Sequence, residues 1–415
     1  MQLRALLIGL FALSLTFSWA ADWPRFRGPN GAGKSSETGL PEKWDANTNI
    51  KWKTPMPGPG ASSPVTFGDK IYLTCFSGYL TADGDQSQLK LHLVALNRSD
   101  GKVAWDTAFA ANTPVQNYRG FVALHGYASG TPAVDATGIY TFFGRTGAIA
   151  FSHDGKELWR TSLGTRTHNY GTGNSPVIYK DLVIVNAGIE SGSLVALNKK
   201  TGAKVWTQRG MIASWNTPIV VSTQKGDELV VNTKGVIKAY DPAKGTPLWT
   251  CKAIKDYICP SVIANDGIIY VIGGRSATAL AVKAGGRGDV TSTHKLWQIP
   301  RGANVPSPVY HEGHLYWVSD RGIAYCVNAK DGKVVYQERL KPKPGKVYAS
   351  VLLADGRIYA VSRQAGTYVM PSKPEFKLLA YNVISDDRSV FNGSLVVSNG
   401  QFLTRSDKFL YCIGK

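Results

Sequence analysis

Short apolar runs separated by polar turns fill the chain from Ser62 to its end. They are rich in Val, Ile, Leu and Tyr and too brief for helices, so they predict β-strands. Their order repeats. An opening of Ser/Thr-Pro-Val leads into a short strand, a polar turn, and a second strand ending in a sequence such as Ile-Tyr-Val. A third strand such as Leu-Val-Ala-Leu-Asn follows, then a Thr-Gly-Lys or Asp-Gly-Lys turn, then a fourth strand carrying Trp. The openings are SSPV at Ser62, GTPAV at Gly130, NSPV at Asn174, NTPIV at Asn216, CPSVI at Cys259 and PSPV at Pro306. Two degenerate ones follow, ASVLL at Ala349 and GSLVV at Gly393. Pro132, Pro176, Pro218, Pro260 and Pro308 recur every 42–48 residues.

Four strands in that period predict one blade of a β-propeller. A blade is apolar on both faces and must stack on its neighbours. Trp105, Trp159, Trp206, Trp249, Trp297 and Tyr336 supply one large flat ring per blade for that interface. The glycine after Asp or Thr supplies the positive φ of a two-residue hairpin turn. The last unit holds only three strands, ending at FLYCIGK, and the missing fourth is NIKWKTPM around Trp52. The expected fold is therefore all-β, an eight-bladed propeller closed by an N-terminal strand, with seven blades as the alternative. The predicted organisation is a signal peptide over 1–20, an irregular N-terminal strap over 21–49, and a single propeller domain over 50–415.

Hydrophobic residues at 43% and charged residues at 18% exclude a disordered chain, and 44 Gly with 21 Pro agree with many tight turns. Arg4, the apolar stretch Leu6–Phe17 and the small residues Ser18 and Ala20 predict an export signal cleaved after Ala20. No cysteine stands directly after that point, which argues against a lipoprotein anchor. No later segment is apolar enough to span a bilayer, so a membrane-free mature protein is expected. The five cysteines match no zinc, redox-pair or haem spacing, and Cys251 with Cys259 could staple one loop.

The repeated A-L-N/D-x-x-[T/D]-G-K-x-x-W motif resembles the PQQ-like repeat of quinoprotein dehydrogenases, shared by the BamB-like outer-membrane scaffolds. DWPRFRGPNGAG followed by NIKWKTPMPGPGASSPV is similar to a large group of exported bacterial proteins with that repeat. The resemblance covers nearly the whole predicted mature chain. It implies fold strongly and function weakly, because the matching residues are structural.

Pyrroloquinoline quinone (PQQ) with Ca²⁺ in the central channel is what the resemblance implies as a cofactor, but the chain has no vicinal cysteines and few acidic residues near the strand openings. Asn174 and Asn216 could offer amide oxygens, and Asp256, Asp386 and Asp387 are the nearest loop carboxylates. No convincing Ca²⁺ set emerges, and neither cofactor nor metal is expected. Gly28–Ser35 fits the phosphate-loop pattern. That loop needs a preceding strand and a following helix, and Gly39 and Pro41 forbid the helix.

The loops joining one blade's fourth strand to the next blade's first all open on one face, and they are polar and aromatic. They place Arg119, His125 and Tyr127 in the first, His168 and Tyr170 in the second, and Trp215 with Asn216 in the third. Tyr257, Asn304 and Tyr348 follow. Aromatics beside Arg, His and Asn suit an anionic or carbohydrate-like ligand, or a peptide. No hydrolytic signature marks a catalytic set. The charge is +18, or +17 without Arg4, but Lys and Arg are scattered, so anionic envelope polymers or acidic partner proteins are expected rather than nucleic acid. The sequence thus points to an exported, non-catalytic binding or scaffolding module, a monomer or part of a complex. A PQQ/Ca²⁺ oxidoreductase and a basic structural envelope protein are the alternatives.

Overall fold

The computed structural model describes residues 22–79 and 84–415, so the signal-peptide expectation lies outside the described residues. Eight sheets follow one another around a ring, with blades 2 to 7 spanning residues 133–161, 177–209, 219–252, 263–299, 309–339 and 352–382. Blade 1 is Val65–Phe67, Lys70–Ser77, Lys90–Asn97 and Val103–Ala110. Blade 8 takes Val396–Ser398, Gln401–Arg405 and Phe409–Ile413 from the C-terminus and Ile50–Pro55 from the N-terminus. Trp52 pairs with Cys412 in that last ladder. The weak seventh and eighth units are therefore true blades, and the seven-blade alternative falls.

A closed ring of hydrogen bonds shows why the openings recur. The backbone N–H of Ser63 donates to Thr131 Oγ1 at 2.9 Å, Thr131 to Ser175 at 3.0 Å, and Ser175 to Thr217 at 3.3 Å. Thr217 donates to Ser261, Ser261 to Ser307 and Ser307 to Ser350, at 2.9–3.2 Å. Ser350 donates to Ser394 and Ser394 back to Ser63 Oγ, both at 3.0 Å. Each first strand begins next to the axis with an N–H that has no partner in its own blade. A hydroxyl from the next blade satisfies it, and an orphaned buried N–H would cost roughly 1–3 kcal/mol. The degenerate openings at Ala349 and Gly393 lost proline and kept the hydroxyl.

The outer ring interlocks through tryptophan. Trp105, Trp159, Trp206 and Trp297 donate Nε1–H to backbone carbonyls of the following blade, those of His153, Lys199, Pro242 and Ala329, at 2.9–3.2 Å. Each ring lies on the turn glycine of that next blade; a Cβ on Gly202 would sit 2.6 Å from the Trp159 ring. That turn is not the expected two-residue hairpin. Gly202 N–H bonds Asn198 O four residues back, and the ladder shifts register at Ala196/Leu197. The wider turn brings a bare glycine, at φ +70°, under the ring.

The other four blades depart from this pattern: the fourth strand of blade 7, Ala380–Asn382, has no tryptophan, and Trp52 of blade 8 lies on Gly101 with its Nε1–H unpartnered. Trp249 turns its Nε1–H to Glu228 Oε2 of its own blade at 2.7 Å, because the next blade has an insertion in place of the glycine turn. The insertion adds Gly288–Asp289 as a fifth, parallel strand on blade 4. Tyr336 packs against Tyr316 and Phe376 instead. All five cysteines are free, so the staple that Cys251 and Cys259 could have formed is absent. Cys251 is fixed in the fourth strand of blade 4, while Cys259 lines the channel ahead of the first strand of blade 5, Ile263–Asn265.

Residues 22–49 carry no regular strand or helix, and they cross the ring at the end opposite the fourth-to-first loops. Trp23 and Thr66 exchange two hydrogen bonds, and Val134 N–H bonds Pro24 O. Gly33 and Ser35 bond Leu353 of blade 7, and Trp44 N–H reaches Asn382 Oδ1. The phosphate-loop look-alike lies here as a series of turns held by Arg27, whose guanidinium donates to Gly31, Ala32, Ser307 and Pro308 carbonyls. Among the described residues no helix is long and apolar enough to cross a membrane.

Candidate functional site: the mouth of the central channel

Two sets of loops open at one end of the ring: the fourth-to-first connections and the second-to-third strand turns. Between them lies a cavity of about 370 Å³. Its floor is Phe26 of the strap. Its waist is six of the eight ring hydroxyls, on Ser175, Thr217, Ser261, Ser307, Ser350 and Ser394. These hydroxyls already accept a backbone N–H, which leaves their O–H groups as donors toward the axis. The rim is aromatic and cationic.

Six of the ten residues expected on this face meet here: His125, Tyr170, Trp215, Tyr257, Asn304 and Tyr348. Tyr170, Trp215 and Tyr257 form a triangle of rings with centroids 6.0–6.1 Å apart. The Trp215 ring is fixed by Nε1–H donation to Gly171 O at 2.8 Å. Burial and the Arg363 guanidinium push the His125 imidazole down to about 4, so it is neutral near pH 7. Its Nδ1 faces Ser129 Oγ at 3.1 Å.

The other four lie elsewhere. Asn216 is fully buried, and its amide caps the blade 4 sheet by donating to Asn232 O. Asn174 does the same for Asn186 O, so neither amide reaches the channel. Tyr127 packs against Tyr118, Phe76 and Tyr79. His168 stacks edge-on against Trp215 at 4.8 Å, behind the triangle. Arg119 is exposed and outside the cavity lining.

Two cations at this end, Arg275 in the cavity lining and Arg363 behind it, come from turns that the sequence pattern did not single out. Arg275 donates to Tyr170 Oη at 2.8 Å and Tyr257 Oη at 3.3 Å. Arg363 lies over the Tyr348 ring at 4.9 Å and donates to Asn392 Oδ1 at 2.8 Å. Asn392, 7% exposed, is left with an unpartnered Nδ2, and Asn304 with an unpartnered Oδ1. Second-to-third turns share the face with the fourth-to-first loops in any propeller blade, which was the available signal. Below the floor, Arg27 is buried among carbonyls, and desolvation pulls it down to about 9. Among the described residues no Asp or Glu lines the cavity. The buried Glu190, raised to about 7 by burial, accepts from the lining residue Thr172.

Ca²⁺ calls for several oxygen ligands with carboxylates among them. The lining offers hydroxyls and one free amide oxygen, so a calcium site does not fit. Asp256 is spent on the backbone N–H groups of Tyr257 and Arg275, Asp386 on Lys53, and Asp387 on Tyr411. Among the described residues no three His, Cys, Asp or Glu side chains group as metal ligands.

Known proteins share this architecture. The family model described as outer membrane protein assembly factor BamB matches residues 90–252 and 233–373, well over half of the chain. The chain belongs to this family. It is 26% identical over 352 residues to an outer membrane protein assembly factor BamB from Yersinia pestis, covering 78% of this chain and 80% of that one. A tetrathionate hydrolase from Acidithiobacillus ferrooxidans is 25% identical over 68% of this chain. A polyvinylalcohol dehydrogenase from a Pseudomonas species is 23% identical over 71%. The matches span only 56% and 47% of those two enzymes. Among solved structures, BamB from Moraxella catarrhalis superposes with a TM-score of 0.64 at 13% identity, covering 88% of this chain and 97% of that one. A quinohemoprotein alcohol dehydrogenase from Comamonas testosteroni gives 0.63 at 12% identity, covering 95% and 81%. At those identities the two structures share the fold, and the same propeller serves both an assembly factor and an enzyme.

Proposed function

We propose that this family member is a binding and scaffolding propeller of the bacterial cell envelope, and that its channel mouth binds without catalysing a reaction. The observation that carries this reading is the composition of the mouth. Arg275, a ring of hydroxyl donors and a set of aromatic rings face a cavity without a carboxylate. Such a lining complements an acceptor-rich, anionic group on a partner chain or an envelope polymer. The best-covered relative, an assembly factor, supports a scaffold role. Export, suggested by residues 1–20, would bring the protein to that compartment.

The test is site-specific photo-crosslinking in cells, with the crosslinker at Tyr257 or Tyr348 and a control at the outer-edge residue Val205. A discrete adduct from the mouth positions alone is expected. Equal or absent adducts at all three positions overturn the reading. So does dye reduction by the purified protein with PQQ and Ca²⁺, which would establish the quinoprotein alternative despite the missing carboxylates.

A further inference from the structure

Blade 1 carries a polar constellation that the binding reading does not use. Its second, third and fourth strands each run for eight residues. The fourth strand of the adjoining blade 8, Ile50–Pro55, has six. The far ends of the blade 1 strands therefore overhang at the mouth end of the ring. On one face of this overhang Ser77, His92 and Asp106 lie on a diagonal across the three strands. Ser77 Oγ is 2.8 Å from His92 Nε2, and His92 Nδ1 is 2.9 Å from Asp106 Oδ1. An ionised Asp106 only accepts, so Nδ1 carries the ring proton, and Nε2 is left to accept from the Ser77 hydroxyl. That tautomer is the one a general base beside a serine nucleophile needs.

The setting favours chemistry over simple packing. His92 is 5% exposed, so the imidazole is held rigidly. Its cross-strand neighbour Ala108 is exposed and too small to cover it, and Lys90, opposite Ser77, is exposed as well. Ser77 is half-buried and ends its strand. The exposed Gly78 follows at φ +80°, where the chain leaves the ladder. The residue after a nucleophile is a common source of an oxyanion hydrogen bond.

We propose that Ser77, His92 and Asp106 form a second site, separate from the channel, that hydrolyses short-chain carboxylic esters. Ser77 Oγ bonds to the ester carbonyl carbon as its proton passes to His92 Nε2. The C–O bond to the alcohol then breaks, and the alcohol leaves with that proton. Water attacks the acyl-serine, giving its proton to His92. The acid departs and Ser77 Oγ is reprotonated. Asp106 orients the imidazole and stays ionised throughout. Ser77 lines neither the channel-mouth cavity nor the smaller one beside it, so a short-chain acyl group is the substrate expected here.

The full-length folded protein is treated with a fluorophosphonate probe and assayed with p-nitrophenyl acetate. One equivalent of probe on Ser77, mapped by mass spectrometry, is expected. Ser77→Ala should abolish labelling, and Asp106→Asn should slow it by roughly a hundredfold or more at unchanged melting temperature. Wild-type labelling no faster than that of Ser77→Ala overturns the proposal, as does labelling that Asp106→Asn leaves unchanged.

Discussion

Replacing Gly202 by alanine tests the interlock between blades 2 and 3. Gly202 sits at φ +70°, and an added Cβ would come within 2.6 Å of the Trp159 ring and 2.8 Å of Thr161 Oγ1. The backbone conformation alone costs an L-residue about 1–2 kcal/mol. Forcing the indole aside adds about 1–3 kcal/mol of overpacking. It also strains the Trp159 Nε1–H bond to Lys199 O and the Thr161 hydroxyl bond to Gly202 O. The expected total is about 2–5 kcal/mol. Gly267 supplies the control, because it sits at φ +71° and a Cβ added there would meet nothing within 4 Å. Gly267→Ala should lose only the backbone part. With about 2.1 cal/mol/K of unfolding entropy per residue, a chain this long shifts by about 1 °C per kcal/mol. Urea unfolding followed by tryptophan fluorescence is therefore the sharper assay, with melting as a check. Equal loss in the two variants would refute the claim that the glycine is there to receive the indole.

The hydroxyl ring predicts that Ser350→Ala, which leaves the buried Ser307 N–H without an acceptor, costs about 1–3 kcal/mol, while Ser350→Thr costs much less; denaturant midpoints compare them. Glu190 predicts a pH effect. Its folded pKa, raised to about 7, lies above the ordinary carboxylate value, so the folded state holds the extra proton and stability falls as pH rises from about 4.5 to 7. Glu190→Gln should remove about 3 kcal/mol of that decline and flatten the profile, read as melting temperature against pH. The free cysteines predict five thiols titrated in denaturant without reductant, and a melting temperature that reductant leaves unchanged.

The repeat was legible because each of its letters answers a local need. The hydroxyl of the opening closes the inner ring, the tryptophan caps the neighbouring blade, and the glycine makes room for it. Even the degenerate units at Ala349 and Gly393 kept the hydroxyl. The departures were not legible, since they depend on pairs far apart in the chain. Trp249 reads like its sister tryptophans until Glu228 and the insertion before Gly288 are brought together. The candidate site was legible by halves. Aromatics in the fourth-to-first loops reached the mouth, but Arg275 and Arg363 stand on turns whose position at that face comes only with the closed ring. Asn216 looked like a ligand because a polar residue at a strand opening carries no mark of which way its amide turns. Ser77, His92 and Asp106 come from three strands and share no motif, so only the register of the sheet assembles them.

The pairing of Ile50–Pro55 with Phe409–Ile413 has a consequence for biosynthesis. Ile50–Pro55 leaves the ribosome long before its partner Phe409–Ile413. Blades can stack as they emerge, yet the circle cannot shut until Phe409–Ile413 has been released. A truncation just before Phe409 would remove that partner. It would strand Ile50–Pro55 and expose the apolar seam between the first and last blades. Phe409–Ile413 is thus as sensitive to truncation as the core.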